Sequence, residues 1–401
     1  MGTLPKILFV DDERNILQGL QRMLRPERHI WDMTFAGGSV EALYELEQSA
    51  FDIVVTDMRM PVMNGAELLE EIRRRYPSTA RMALSGHTDR EFIFRVVSST
   101  HQFLSKPCDA DVIKNALSRC IAASALIENK ELRANIGSSQ AVAIFPANLE
   151  SFQNALVWGE SSASKVGRIV ERDIGLTAKC LQFVNSAFFG TPREICLPEQ
   201  AVAMIGIETL REVYGSPDLR SEFPENEFNH LKPMDLADHS MLTARIARLI
   251  AESEDLPART ADAVFIAGML HDVGKLIFAA TNPAACDSLP CWSGQDTRNR
   301  ETELFGACHC RAGAYLLSLW GFQPNVVSAV AWHHAPMALA DEPSWPLTIV
   351  HVANLLANEF AGTRDRSDDY DERYLIATNT LDKLAGWKQT AAGAIMNGAV
   401  R

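Results

Sequence analysis

Between Lys6 and Pro107 short apolar runs alternate with stretches whose apolar residues recur at helical spacing. Lys6 to Val10, Phe51 to Thr56, Arg81 to Leu84 and Gln102 to Leu104 are each closed by polar or turn residues, which predicts strands buried on both faces. Asn15 to Leu24, Ser39 to Gln48, Gly65 to Tyr76 and Arg90 to Ser99 carry apolar residues in the helical pattern. This alternation implies an α/β doubly wound parallel sheet, expected to be five-stranded. Ligands of such a sheet bind outside the carboxyl ends of its strands.

After Pro107 the strand signal fades and the chain reads as all-α. Asp109 to about Arg133 predicts one long helix with Val112, Ala116, Leu117, Cys120 and Ile121 on its apolar face, ending at the break Gly137-Ser138-Ser139. The expected organisation is a first domain over 1–122, a connecting helix and linker over 109–138, and an all-helical domain over 139–401. Within the last, helices are expected over Ala163 to Asn185, Leu197 to Val213, Asp235 to Glu254, Arg259 to Phe278, Glu301 to Trp320, Asn325 to His334 and Leu347 to Phe360. Ser216 to Lys232 and Thr281 to Asn299, both rich in Pro or Gly, interrupt them, and Arg364 to Arg373 reads as a solvated charged loop.

Composition and sequence pattern narrow this picture in four ways. A chain of 401 residues exceeds what one hydrophobic core usually supports, and 47% hydrophobic residues supply enough apolar surface for two. The net charge of -13 argues against nucleic acid as a partner, because phosphate-backbone binding relies on Lys and Arg. No apolar run of membrane-spanning length and no signal-peptide pattern is read, so a cytoplasmic location without membrane partners is expected. The 8 scattered cysteines suit reduced core thiols, and Cys308 and Cys310, neighbours on different helix faces, are assigned to the core rather than to a metal clip.

Polar residues gather at the predicted strand ends: Asp11 and Asp12 after the first, Asp57 after the third, Ser85 after the fourth and Lys106 after the fifth. Phosphoryl transfer to a carboxylate needs a nucleophilic oxygen, a divalent cation and fixed donors for the phosphoryl oxygens. This set can supply them. Phe9 to Glu13, Val55 to Pro61 with Asn64-Gly65, and Ser105-Lys106-Pro107 resemble the signatures of bacterial response-regulator receiver domains. The resemblance implies that Asp57 is the phosphoacceptor and that Asp11, Asp12, Asp57 and the backbone carbonyl of Arg59 hold Mg²⁺. It further implies that Ser85 and Lys106 contact the phosphoryl group, that Phe103 is the switch aromatic, and that the partner is a cognate sensor histidine kinase.

In the C-terminal part His239, His271, Asp272, His309, His333, His334 and His351 stand out, imidazole being a common ligand for transition metals. Leu270 to Lys275 resembles the HD superfamily of metal-dependent phosphohydrolases. Ile169 to Thr177, Phe183 to Gly190, Gln200 to Leu210, Ala267 to Lys275 and Trp332 to Pro336 together resemble HDOD domains, which are all-helical and mostly regulatory. By this resemblance His239, His271 and Asp272 match three HD-type ligand positions, and His309, His333 and His334 match further positions of the HD-GYP phosphodiesterases. Lys275 becomes a candidate phosphate contact, and Fe, Mn or Zn the candidate ion. Asn354 stands where the closing Asp belongs, and Ala335 to Pro343 lacks the Gly-Tyr-Pro signature. The leading expectation is a non-enzymatic output that binds a protein or small ligand, in a homodimer formed through 109–133. The competing one is a receiver-gated phosphohydrolase or cyclic di-GMP phosphodiesterase.

Overall fold

Lys6–Val10 (β1), Asp32–Ala36 (β2), Ile53–Asp57 (β3), Ala80–Ser85 (β4) and Gln102–Ser105 (β5) form one parallel sheet in the order β2-β1-β3-β4-β5. The computed structural model describes residues 4–86, 99–138, 142, 144, 146–157, 162–185, 195, 197–214, 233–289, 294–362 and 370–396. Strand order reverses between β1 and β3, where Val10 pairs with Thr56, so the crevice beyond these two strands is the expected ligand site. β2 is the strand without an apolar run: Asp32-Met33-Thr34-Phe35-Ala36 lies at the sheet edge, and only Ala36 is fully buried.

The strands are flanked by Arg14–Met23 (α1), Ser39–Gln48 (α2) and Gly65–Arg75 (α3); the helix expected over Arg90 to Ser99 falls almost wholly outside the described residues. Leu8, Val10 and Val54 project to one side of the sheet and pack with Ala42, Leu46, Leu68 and Ile72. Each of the buried Val, Leu and Ile side chains among them contributes about 1.5–3 kcal/mol of transfer free energy. A reciprocal capping box starts α3: Asn64 Oδ1 accepts from the Glu67 amide and Glu67 Oε2 from the Asn64 amide, both at 3.0 Å. Arg73, Arg74 and Arg75 in its last turn complement the helix dipole.

The long helix expected from Asp109 is instead two, Ala110–Ser124 (α4) and Lys130–Ser138 (α5). The Ala125 and Leu126 amides bond back only three residues, tightening the last turn of α4, and Asn129 Oδ1 caps α5 by accepting from the Leu132 amide at 3.0 Å. The turn buries Ile127, and α5 buries Leu132 and Ile136, so tertiary packing overrides a local sequence with no Gly or Pro to mark the break.

Arg81, buried within β4, ties this region together. Its Nε donates to Ser99 O at 2.6 Å, Nη1 to Thr79 O at 3.1 Å and Nη2 to Gly137 O of α5 at 2.5 Å. The buried His101 ring accepts from the Arg81 amide at Nδ1 (3.0 Å), which places its proton on Nε2, 3.3 Å from Gly137 O. Burial, reinforced by the Arg81 charge, holds the His101 pKa well below its usual value. The unfolded chain, titrating near 6.5, therefore takes a proton that the folded chain refuses, and stability falls as pH drops below about 6.5. The loss of urea stability between about pH 7.5 and about pH 5.5 is expected to be smaller in His101→Gln than in wild type; equal losses would assign the pH dependence elsewhere.

The chain divides into two compact units: Met1–Ala141 with Gln182–Glu194 and Leu316–Gly321, and Val142–Leu181 with Ile195–Tyr315 and Phe322–Arg401. From Pro146 onward the described residues contain no strand. Their helices are Pro146–Val157 (α6), Ala163–Glu171 (α7), Ile174–Val184 (α8), Pro198–Ile205 (α9), Ile207–Tyr214 (α10), Pro233–Ser253 (α11), Ala258–Leu270 (α12), Val273–Thr281 (α13), Pro283–Asp287 (α14), Gln295–Phe305 (α15), His309–Leu319 (α16), Pro324–Trp332 (α17), Trp345–Ala361 (α18), Glu372–Ala377 (α19) and Leu384–Met396 (α20).

Helix α18 is buried all round from Pro346 to Asn358 and packs against α11, α12 and α17, which makes it the centre of this core. Four helices expected as continuous are split. Asp173 Oδ1 accepts from the Leu176 amide at 2.8 Å and starts α8 afresh; α9 and α10 part at Gly206, α15 and α16 at Gly306 to Cys308, and α12 and α13 at His271-Asp272. The stretch Ser216 to Lys232 lies outside the described residues. Ala258–Thr281 is long and apolar enough to cross a membrane, but 94% of its apolar 18-residue window is buried inside the protein.

Candidate functional site

Two constellations emerge, one in each unit. In the first, Asp11 follows β1 with its carboxylate almost fully buried: Oδ1 accepts from the Glu13 amide at 2.9 Å and Oδ2 from Lys106 Nζ at 2.8 Å. Asp57 closes β3, its Oδ2 accepting from the Arg59 amide at 2.6 Å and its Oδ1 paired with the same Lys106 ammonium. Burial lowers the Lys106 pKa, but the bonds to Asp11 and Asp57 outweigh it and the net shift is upward. One cation is thus shared by two buried carboxylates at the point where the strand order reverses.

The remaining predicted residues surround this pair. Asp12 is exposed beside it. Ser85, buried at the end of β4, donates to Gly86 O at 3.3 Å, and Phe103 is a buried residue of β5. The first turn of α3 presses against the end of β3, so that a Cβ at Gly65 would stand 2.1 Å from Asp57 O. Only glycine admits this approach. The donor set of carboxylate oxygens, one buried and one exposed beside Asp57, fits a hard divalent cation.

In the second unit the core helices bring six predicted residues to one place. His239 comes from α11, His271 and Asp272 from the turn between α12 and α13, His309 from the start of α16, and His333 and His334 from the end of α17. His239 Nε2 lies 3.3 Å from His271 Nε2 and 3.0 Å from Asn354 Oδ1 of α18. Asp272 bridges the two halves: Oδ2 is 3.4 Å from His271 Nε2, and Oδ1 is 3.1 Å from His309 Nε2 as an ion-pair contact that closes no hydrogen bond. The His333 ring stands 5.0 Å from that of His271 and 4.1 Å from that of His334.

Three of these rings have their tautomer fixed from behind. Nδ1 of His271 faces Gly268 O at 2.7 Å, Nδ1 of His333 faces Val330 O at 2.8 Å, and Nδ1 of His309 faces the buried Glu301 carboxylate at 2.8 Å. Each Nδ1–H donates outward and turns Nε2 toward the cluster. Burial lowers the pKa of His239 to about 3 and holds those of His333 and His334 well below the usual value. His309 differs: burial opposes its charge, yet the carboxylates of Glu301 and Asp272 raise it to about 9. Burial pushes the Asp272 carboxyl up, but His271 and Lys275 outweigh it and hold the group well below its usual range.

Two assignments change. Cys310, expected as a core thiol, belongs to the cluster: its Sγ is 3.3 Å from His309 Nε2, and the donor atoms of His309, Cys310, His333 and His334 lie within 4.8 Å of one another. Cα–Cβ bonds lean toward a helix N-terminus, so two neighbours in the first turn of α16 both reach past its end. Lys275, a candidate phosphate contact, is buried and engaged with Asp272 Oδ2 at 2.6 Å. Glu301 was not foreseen; a buried Glu eight residues before a His leaves no local pattern. His351 takes no part, since Nδ1 faces His333 O at 2.7 Å and Nε2 accepts from the Asp371 amide at 3.0 Å.

Comparison with known proteins agrees with this division. Residues 7–118 match the response regulator receiver domain family and residues 142–336 match the HDOD domain family. The hydrogenase transcriptional regulatory protein HoxA of Cupriavidus necator is 31% identical over 122 residues, 30% of this chain and 25% of its own length. A response regulator receiver protein of Anaeromyxobacter is 39% identical over 82 residues, 20% of this chain and 34% of its own length. This chain therefore spans well under half the length of either relative. Among solved structures, the signal receiver domain of an HD domain-containing protein from Pseudomonas fluorescens Pf-5 is 34% identical, with a TM-score of 0.28, covering 30% of this chain and 88% of that one.

Proposed function

We propose that this chain, a response regulator with an N-terminal receiver domain and a C-terminal HDOD domain, takes a phosphoryl group on Asp57 from a cognate sensor histidine kinase and thereby controls a non-catalytic HDOD output. The observation that carries the reading is the Lys106 ammonium shared by Asp11 and Asp57 at the reversal point of the sheet. A carboxylate oxygen of Asp57 forms the new P–O bond as the P–N bond of the donor phosphohistidine breaks. Lys106 then neutralises the phosphoryl oxygens, and the Ser85 hydroxyl turns from Gly86 O to bond one of them. Asp11, Asp12, Asp57 and the Arg59 carbonyl would hold Mg²⁺, which supplies charge neutralisation when bound.

The output reading rests on what the histidine cluster lacks for hydrolysis. Asn354 contributes no charge where a carboxylate would complete an HD-type site, and Asp272 Oδ2 is already neutralised by Lys275. The output partner in this reading is a protein or small ligand, and the location is cytoplasmic, in keeping with the burial of the Ala258–Thr281 span. Val112, exposed on α4, supports pairing of two copies through that helix. Hydrolysis is the second reading, favoured by the convergence of His239, His271, Asp272, His309 and His333 in one buried cluster. Assays of the full chain with cyclic di-GMP and nucleoside monophosphates, with and without a phosphodonor, are expected to show no turnover. Turnover abolished by His271→Ala would replace the regulatory reading with an enzymatic one.

A further inference from the structure

We propose that the helical unit binds a single transition-metal ion with Cys310 as a thiolate ligand, alongside His309, His333 and His334, and that Lys275 keeps the other half of the cluster free of a second ion. The first support is an orphaned atom. His333 Nε2 is buried and without a hydrogen-bond partner, and Asp272 Oδ1, also buried, has only the ion-pair contact with His309 Nε2 at 3.1 Å. Buried polar groups are ordinarily satisfied. Both atoms belong to the His309 side of the cluster.

Spacing and orientation point the same way. With metal–nitrogen bonds of about 2.0–2.1 Å and metal–sulfur bonds of about 2.3 Å, donors around one tetrahedral ion stand about 3.3–3.7 Å apart. Cys310 Sγ at 3.3 Å and Asp272 Oδ1 at 3.1 Å from His309 Nε2 are already close to that separation. The other donors, within 4.8 Å, reach it by small side-chain rotations. His309 and His333 present Nε2 because Glu301 and Val330 O hold their Nδ1 atoms. Glu301 thereby acts as the carboxylate that orients a ligating histidine.

The two halves differ in charge. Around His239 and His271 the remaining donors are the neutral Asn354 and an Asp272 oxygen 2.6 Å from the Lys275 ammonium, so an incoming dication meets a positive charge. The His309 half offers Asp272 Oδ1 and a thiol whose proton leaves as the metal binds. A thiolate with two or three imidazoles selects zinc, ferrous iron or cobalt over magnesium and manganese.

Cobalt(II) titration of chelator-treated full-length protein tests this directly. Wild type is expected to bind one equivalent and to show a near-ultraviolet thiolate-to-cobalt charge-transfer band. Cys310→Ser loses the band, whereas Cys308→Ala and His239→Ala keep both band and stoichiometry, and Glu301→Gln binds about 10–100-fold more weakly. Absence of cobalt binding, a band that survives Cys310→Ser, or a second equivalent removed by His239→Ala would each overturn the proposal. X-ray absorption of the zinc-loaded wild type provides a reading independent of variant folding: a sulfur neighbour at about 2.3 Å is expected, and a shell of nitrogen and oxygen alone contradicts it.

Discussion

Gly274→Ala is expected to destabilise the helical unit by about 3 kcal/mol, at the upper end of overpacking penalties, and to disperse the histidine cluster. A Cβ at this position would stand 1.9 Å from His309 O, 2.6 Å from His309 C and 2.9 Å from the Gly313 amide. All three are backbone atoms, so no side-chain rotation relieves the clash. Helix α13 and the start of α16 must separate, carrying His309 and Cys310 away from Asp272. The glycine of the His-Asp-Val-Gly-Lys motif is thus required by helix packing, and the packing positions the chemistry. On a scale of about 2–4 °C per kcal/mol the thermal midpoint of this unit should fall by about 6–12 °C. A midpoint equal to that of wild type would show that the helices do not meet as closely as described.

Arg81→Met should cost the first unit about 3 kcal/mol or more. Methionine nearly matches the apolar stem but leaves Ser99 O and Thr79 O without this donor, at about 1–3 kcal/mol for each acceptor that stays buried, and leaves Gly137 O with only the longer contact to His101 Nε2. The Gly137 bond anchors α5, so its loss also frees the segment that leaves the receiver. Limited proteolysis is expected to cut within 130–138 far faster in the variant, together with a lower urea midpoint. Arg81→Lys should fall between the two, because one ammonium cannot span three carbonyls as a guanidinium fork does. Wild-type resistance to protease in Arg81→Met would remove Arg81 as the anchor.

How far the sequence reveals these features depends on the range of the interactions that create them. β1, β3 and β4 are legible because strands covered on both faces need continuous apolar runs, and Asp11, Asp57, Ser85 and Lys106 are legible because parallel sheets concentrate chemistry at strand ends. β2 is harder to see, since an edge strand buries little and Asp32, Met33 and Thr34 carry no strong pattern. The helix breaks at Asp173 and Asn129 are set by side-chain caps inside otherwise helical sequence. The histidines of the second unit are conspicuous one by one. Their pairing with Glu301, the inclusion of Cys310 and the capture of Asp272 by Lys275 arise only when α11, α13, α15, α16 and α17 are brought together by the fold.

These placements divide the labour between the units. In the first unit two buried carboxylates share one lysine, the site proposed to take the phosphoryl group, whereas the histidine cluster holds its one bridging carboxylate against Lys275. In the proposed function covalent chemistry falls to Asp57. The most direct test is intact-mass measurement of the full chain after incubation with a small phosphodonor and Mg²⁺. Wild type is expected to gain one phosphoryl group and Asp57→Asn none. Equal labelling of Asp57→Asn would contradict the account at its centre.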